Sequence, residues 1–226
     1  MFINKCNLTL KENIFIAKKL ISETIYNTAK LEGCNVTFPQ TETILNGVSV
    51  SGLKMSDVEK ILNLRDAWKF VLDTIEEPLS ITYWSKINGY VARNESLEWG
   101  VLRYGDVGIS GTDYKPPIPT QQSMMNTINK ILNSDITPTE KALELFLNGC
   151  RFQFFWDGNK RTSTIVANKY MIQNGVGIFT IPDKKLEEFS GLLSDFYSTN
   201  ENFEIKNFLY HQCIKKFTIN QKNQKI

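Results

Sequence analysis

An all-α domain is what this sequence predicts, on three observations. Apolar residues recur at i, i+3, i+4 spacing through most of the 226 residues. Hydroxyl residues that can cap a helix, some of them followed three residues later by Glu, stand just ahead of those periodic runs. Only two short stretches carry a β signal, a glycine-rich one in mid-chain and Ile178-Phe179-Thr180-Ile181.

Taken in order, residues 10–31 read as one or two helices with Ile14, Leu20, Ile21 and Ile25 on the apolar face, and Gly33 punctuates. Thr37-Phe38-Pro39 opens a short helix that stops near Asn46-Gly47. Ser56-Asp57-Val58-Glu59 has the form of a capping box, and Val58, Ile61, Leu62, Trp68, Leu72 and Ile75 extend a helix over 56–76. Ser80 is placed to cap the next one, with Ile81, Trp84, Ile87 and Val91 on one side. The pattern breaks at 97–119, where four glycines precede Pro116, Pro117 and Pro119. Val101-Leu102-Arg103 and Val107-Gly108-Ile109 read there as a small hairpin around Gly105-Asp106. Helix returns at 120–132, and Thr137-Pro138-Thr139-Glu140 opens another that runs to about 152. Further helices are expected at 160–173, 183–197 and 202–217. The expected organisation is an N-terminal helical region (1–55), a helical core with the hairpin inserted (56–217) and a frayed polar tail (218–226).

Composition narrows the function. With 42% hydrophobic and 22% charged residues, the chain is neither disordered, collagenous nor a coiled coil. No window nears the ~20 apolar residues of a membrane span, and Met1-Phe2-Ile3-Asn4-Lys5 lacks an apolar leader, so a cytoplasmic protein without membrane contact is expected. Lys+Arg is 26 and Asp+Glu 24, a net +2 that gives no electrostatic case for nucleic acid. Cysteines at 6, 34, 150 and 213 show neither zinc spacing nor disulfide density and read as reduced thiols. His211 is the only histidine, which removes two-histidine metal sites and any serine–histidine device away from the C-terminal end. On a helix near that end, it reads as an ordinary core or surface residue. Homo-oligomerisation stays open.

Chemistry concentrates in Phe152-Gln153-Phe154-Phe155-Trp156-Asp157-Gly158-Asn159-Lys160-Arg161-Thr162-Ser163, between two expected helices. The second continues through Ile165, Val166, Lys169 and Tyr170, so glycine, amide and two cations sit at a helix start. First-turn N–H groups have no intrahelical partner, and the helix dipole there favours negative charge. Gly158 permits a tight turn and close approach by a ligand. Lys160 and Arg161 are cations where the dipole disfavours them, which an external anion would explain; the arrangement reads as a phosphate nest. Asp157 is placed either to cap the helix or to hold Mg²⁺ against phosphates.

The run resembles the signature of the Fic family, H-P-F-x-D/E-G-N-G-R-x-x-R: Phe155, Asp157, Gly158, Asn159 and Arg161 match, and the likeness covers about residues 80 to 200. It implies an ATP- and Mg²⁺-binding protein that moves AMP onto a hydroxyl side chain of a target protein. By resemblance, Asp157 binds Mg²⁺, Asn159 and the loop N–H groups hold the α-phosphate, and Arg161 the β-phosphate. The hairpin matches the family's target-positioning flap, where Val101, Arg103 and Ile109 would flank an edge to which a target segment adds as a strand. One ring of the cluster Phe152, Phe154, Phe155 and Trp156 is a candidate border for the nucleotide.

Three positions depart from the pattern. Gln153 stands where the family has its catalytic His, and a neutral amide cannot take the hydroxyl proton, so Gln153 is expected to orient the incoming group. Thr164 stands at the family's second Arg position, which leaves open how the γ-phosphate is held. Lys160 replaces Gly, giving N-K-R-T, similar to the related Doc proteins that phosphorylate their targets. Upstream, Thr28-Ala29-Lys30-Leu31-Glu32-Gly33 fits the family's inhibitory pattern S/T-x-x-x-E-G/N, in which the Glu reaches into the ATP site; with Thr164 here, Glu32 would use Lys160 or Arg161. A catalytically silent nucleotide-binding or regulatory module and a Doc-like phosphotransferase are the alternatives.

Overall fold

Thr9 opens the first helix by a reciprocal pair: its Oγ1 accepts from Glu12 N at 3.3 Å, and the Glu12 carboxylate accepts from Thr9 N at 2.8 Å. In the computed structural model, which describes residues 2–217, this helix, α1, runs unbroken over Leu10–Lys30. It is followed by α2 (Phe38–Leu45), α3 (Met55–Asp73), α4 (Ile81–Val91), α5 (Gln121–Leu132), α6 (Pro138–Phe152), α7 (Asn159–Gln173), α8 (Leu186–Thr199) and α9 (Phe203–Phe208). The all-α class and most boundaries agree with the sequence reading, including the caps at Thr37, Ser80 and Thr137.

Helix α7 is the axis of the fold. It packs against α1, α3, α4 and, most extensively, α6. One core lies on its α1–α3–α4 side, with Ile25, Ile61, Trp68, Trp84 and Ile87; the other lies toward α6 and α8, with Phe146, Phe179, Phe189 and Phe196. Close approach of α6 and α7 depends on Gly149: a Cβ there would stand 2.1 Å from Ser163 Oγ and 2.8 Å from Trp84 Cζ2. Asn168, fully buried on α7, holds the next strand through both backbone groups of Phe179, at 2.7 and 2.9 Å.

Three elements differ from the sequence reading. Ser56 does not cap α3, whose start follows Lys54 without a side-chain cap; Asp57 is buried and accepts from Asn35 N at 3.2 Å instead. The helix expected over 202–217 ends early. A wide π turn, Leu209–Cys213, leads into β2 (Ile214–Lys215), which pairs antiparallel with β1 (Ile178–Phe179) in the register Ile178↔Lys215 and Phe179↔Ile214. The paired strand satisfies buried backbone groups of β1 that a helix there would leave open. The hairpin around Gly105 is absent among the described residues. Segment 97–119 is irregular, with one bridge from Leu102 to Phe155, because Arg103 turns inward and collects its carbonyls. The polar tail, 218–226, lies outside the described residues.

Lys169 on α7 is fully buried, bonded to Glu77 O and Gln173 Oε1, both at 2.5 Å, with its ammonium over the Tyr83 ring. Burial pulls its pKa from 10.5 down to about 8, partly offset by Glu77. The unfolded chain therefore binds the extra proton between pH 8 and 10.5, and stability from this group rises with pH across that window. Against Lys169→Met, urea unfolding of the unsubstituted chain should gain on the order of 3 kcal/mol from pH 7.5 to 10.5. Identical pH profiles for the two proteins would refute the shift.

Candidate functional site

The α6–α7 connection is six residues long and tightly wound at both ends. Gln153 ends α6 in the left-handed region (φ 47°, ψ 59°), a strained conformation for a residue with a side chain. Gly158 precedes α7 at φ 70°, and a Cβ there would stand 3.0 Å from Val91 and 3.2 Å from Ala92. The loop is thus pressed against the end of α4. Asn88 on α4, fully buried, fixes it: Nδ2 donates to Asp157 O at 2.9 Å and Thr162 Oγ1 at 3.2 Å, and Oδ1 accepts from Gly100 N at 2.8 Å.

Backbone N–H groups of Asn159, Lys160 and Arg161 have no acceptor among the described residues. They present the partial positive end of α7 to the loop. Asp157 accepts from Gly158 N through Oδ1, which also lies 3.4 Å from Arg161 NH2; Oδ2 has no partner among the described residues. Its side chain is 45% exposed. Among the described residues, no three His, Cys, Asp or Glu side chains converge as a metal cage. One open carboxylate beside helix N–H groups that have no acceptor among the described residues fits Mg²⁺ only as an ion shared with phosphate oxygens.

Each of the other motif side chains is already engaged. Gln153 Nε2 donates to Cys150 O at 2.6 Å, and Oε1 accepts from Asn159 Nδ2 at 3.0 Å. Asn159 is nearly buried and brackets Phe155, accepting from its N–H at 2.9 Å and donating to its carbonyl at 2.7 Å. Arg161, 1% exposed, donates to Val91 O and Glu95 Oε1, the latter at 2.7 Å. Burial works against its charge, but Glu32, Glu95 and Asp157 outweigh that and hold the guanidinium above its ordinary pKa. Thr164 is buried with its hydroxyl on Lys160 O.

Lys160 points the other way. Its Nζ stands 3.6 Å from Glu32 Oε1 and 3.5 Å from Leu31 O. Glu32 sits in the turn after α1, where Gly33 takes φ 70°. Thr28 is buried, its hydroxyl spent on Thr24 O. Lys160, Gln153 and Lys30 line an open cavity of about 330 Å³, with Leu31, Ile109, Ser190 and Tyr197 on its walls. Burial, with Cys150 and Glu32, pushes the Tyr197 hydroxyl far above the usual phenol range, so it stays a donor. Cys34 is pushed up to about 11 by burial and then by Asp57, and Cys150 is also raised by burial; all four cysteines are buried free thiols.

Several expected placements are corrected. Arg103 does not flank an exposed edge. It is buried, with its guanidinium on the carbonyls of Gln153, Gly105, Pro116, Pro117 and Phe152, because that turn-rich segment leaves carbonyls without helix or strand partners. Val101 is exposed, while Ile109 belongs to the cavity wall, so the three do not form one edge. No ring of the 152–156 cluster lines the cavity; Phe189 and Tyr197 of α8 do, while Phe154 and Phe155 are core and Trp156 packs edge-on to Tyr104. A side chain at position 105 would stand 2.7 Å from Trp156, next to Asp157, so substitution there perturbs the motif loop itself. His211 is exposed on the π turn and does not line the cavity. Asn88 and Glu95 went unread in the sequence. Asn88, a lone amide beside the apolar positions of α4, carried a faint signal; Glu95, in a loop without pattern, carried none.

Comparison with known proteins agrees with this geometry. Residues 78–171 match the Fic/DOC family. Protein adenylyltransferase Fic of Drosophila willistoni is 24% identical over 184 residues, covering 76% of this chain and 36% of that protein; the Drosophila ananassae protein is 25% identical over the same length. The chain thus spans about a third of the length of these relatives. Among solved structures, Fic-1 of C. elegans (residues 134–508) superposes with TM-score 0.74 at 21% identity, over 86% of this chain and 60% of that one. A Fic domain containing signaling protein from Bacteroides thetaiotaomicron gives 0.73 at 18%, over 90% and 86%. The strained loop, the start of the helix it opens and α4 behind it all fall inside the segment that matches the Fic/DOC family.

Proposed function

We propose that the chain is a protein adenylyltransferase that binds ATP with Mg²⁺ at the start of α7 and in the adjoining cavity. The observation that carries this reading is the set of three N–H groups at α7 without an acceptor among the described residues, beside a cavity where Lys160 is held by a carboxylate from outside the motif. Phosphate oxygens would take the N–H groups of residues 159–161 and the Lys160 ammonium. Mg²⁺, when bound, neutralises phosphate charge and is held by Asp157. In the transfer, the target hydroxyl oxygen bonds to the α-phosphorus, the α–β bridge breaks and pyrophosphate leaves. Gln153 positions the hydroxyl but cannot take its proton, which passes to water, so the unsubstituted chain is slow. Glu32 competes for Lys160 and restrains the site. Four buried free thiols are in keeping with a cytoplasmic setting.

A second reading, a silent nucleotide-binding module, is favoured by Gln153 having both ends of its amide engaged. Incubation with a protein mixture and ATP labelled at either the α- or the γ-phosphate separates the readings. We expect α-label on protein, rising about tenfold in Glu32→Gly, the scale of freeing one charge-assisted contact. Label from the γ-position alone indicates a phosphotransferase, and binding without transfer in both proteins indicates the silent module.

A further inference from the structure

A second carboxylate from outside the motif stands on its other cation. Glu95 lies in the turn after α4, and Asn94 beside it takes φ 64°, a strained value held from both sides. Arg93 clamps this turn to α3, donating to Asn63 Oδ1 at 2.9 Å and Asp66 Oδ2 at 2.7 Å, while Asn63 Nδ2 donates to Arg93 O at 2.9 Å. The Glu95 carboxylate bonds Arg161 NH1 at 2.7 Å and pairs with Lys60 at 3.7 Å. Arg161 Nε is buried without a partner. Lys160, Arg161 and Lys60 each therefore stand within 4 Å of a carboxylate.

We infer that Glu95 is a specificity-determining residue that sets how many phosphates the site admits. This rests on the reading of the α7 start as a phosphate site. While Glu95 holds Arg161, the site offers its N–H donors, Lys30 of the cavity wall and Lys160 shared with Glu32, enough for one phosphate. Each additional phosphate finds the remaining motif cation paired and must displace Glu95 from Arg161. The geometry thus favours a nucleoside monophosphate over a triphosphate, and ATP gains hold only as Glu95 yields Arg161.

Calorimetry on the full chain with AMP, ADP and ATP, each with and without Mg²⁺, tests this. In the unsubstituted chain, AMP should bind at least as tightly as ATP. Glu95→Gln should tighten ATP about tenfold and leave AMP within about threefold. If Glu95→Gln does not melt cooperatively, Glu95→Asp serves, because its shorter arm releases Arg161 while keeping the charge. ATP binding ten times tighter than AMP in the unsubstituted chain overturns the inference and leaves the phosphate site standing, as does an equal shift of both nucleotides on substitution. No heat from any nucleotide, even in Glu32→Gly, overturns the phosphate site and this inference with it.

Discussion

Gln153→His should raise the rate of α-phosphate transfer to protein by about 10²–10⁴-fold, the range a positioned general base contributes. The position is ready for it. Its left-handed backbone is one that His tolerates better than most residues. Its carbonyl is fixed by Arg103 Nε at 2.6 Å, and the Asn159 amide that now donates to Gln153 Oε1 can donate to an imidazole nitrogen. The assay follows α-label in the Glu32→Gly background, so that the restraint on Lys160 does not mask the gain. The substituted protein should also acquire a rise in rate with pH centred near 6.5, the ordinary imidazole value, that the parent lacks. A faster enzyme with the parent's pH profile would mean that His acts by positioning, and no change in either would sink the adenylyl-transfer reading of this loop.

Arg103→Ala should cost about 3 kcal/mol of folding stability or more. A buried guanidinium satisfies five backbone carbonyls from three separate segments, 152–153, 105 and 116–117, and no short apolar side chain can replace it. Each acceptor left dry is a desolvation cost with no compensating bond. Arg103→Lys should be intermediate, because one ammonium has three donors and cannot span the same set. Denaturant unfolding measures the loss. Since Arg103 also grips the carbonyl of Gln153, hydrogen exchange at residues 153–158 should quicken in the same variant. Less than 1 kcal/mol lost, with exchange unchanged, would show that 97–119 is held by other means.

Lys60 and Arg161 illustrate what sequence position conceals. They stand 101 positions apart (161 minus 60), yet share the carboxylate of Glu95. Arg161 reads as an open cation at a helix start, and its burial follows from the turn at 92–95 folding over it, which no local pattern announces.

By itself the sequence determined the local structure: helix class, most caps and the placement of a glycine, an amide and two cations where α7 begins. Those features depend on contacts within a few residues, which periodicity and capping chemistry record directly. Pairings across the chain were decided only by tertiary packing. The inward turn of Arg103, the strand that replaced the last helix turn, and the carboxylates of Glu32 and Glu95 on Lys160 and Arg161 all arise because buried polar groups must find partners, wherever in the sequence those partners lie.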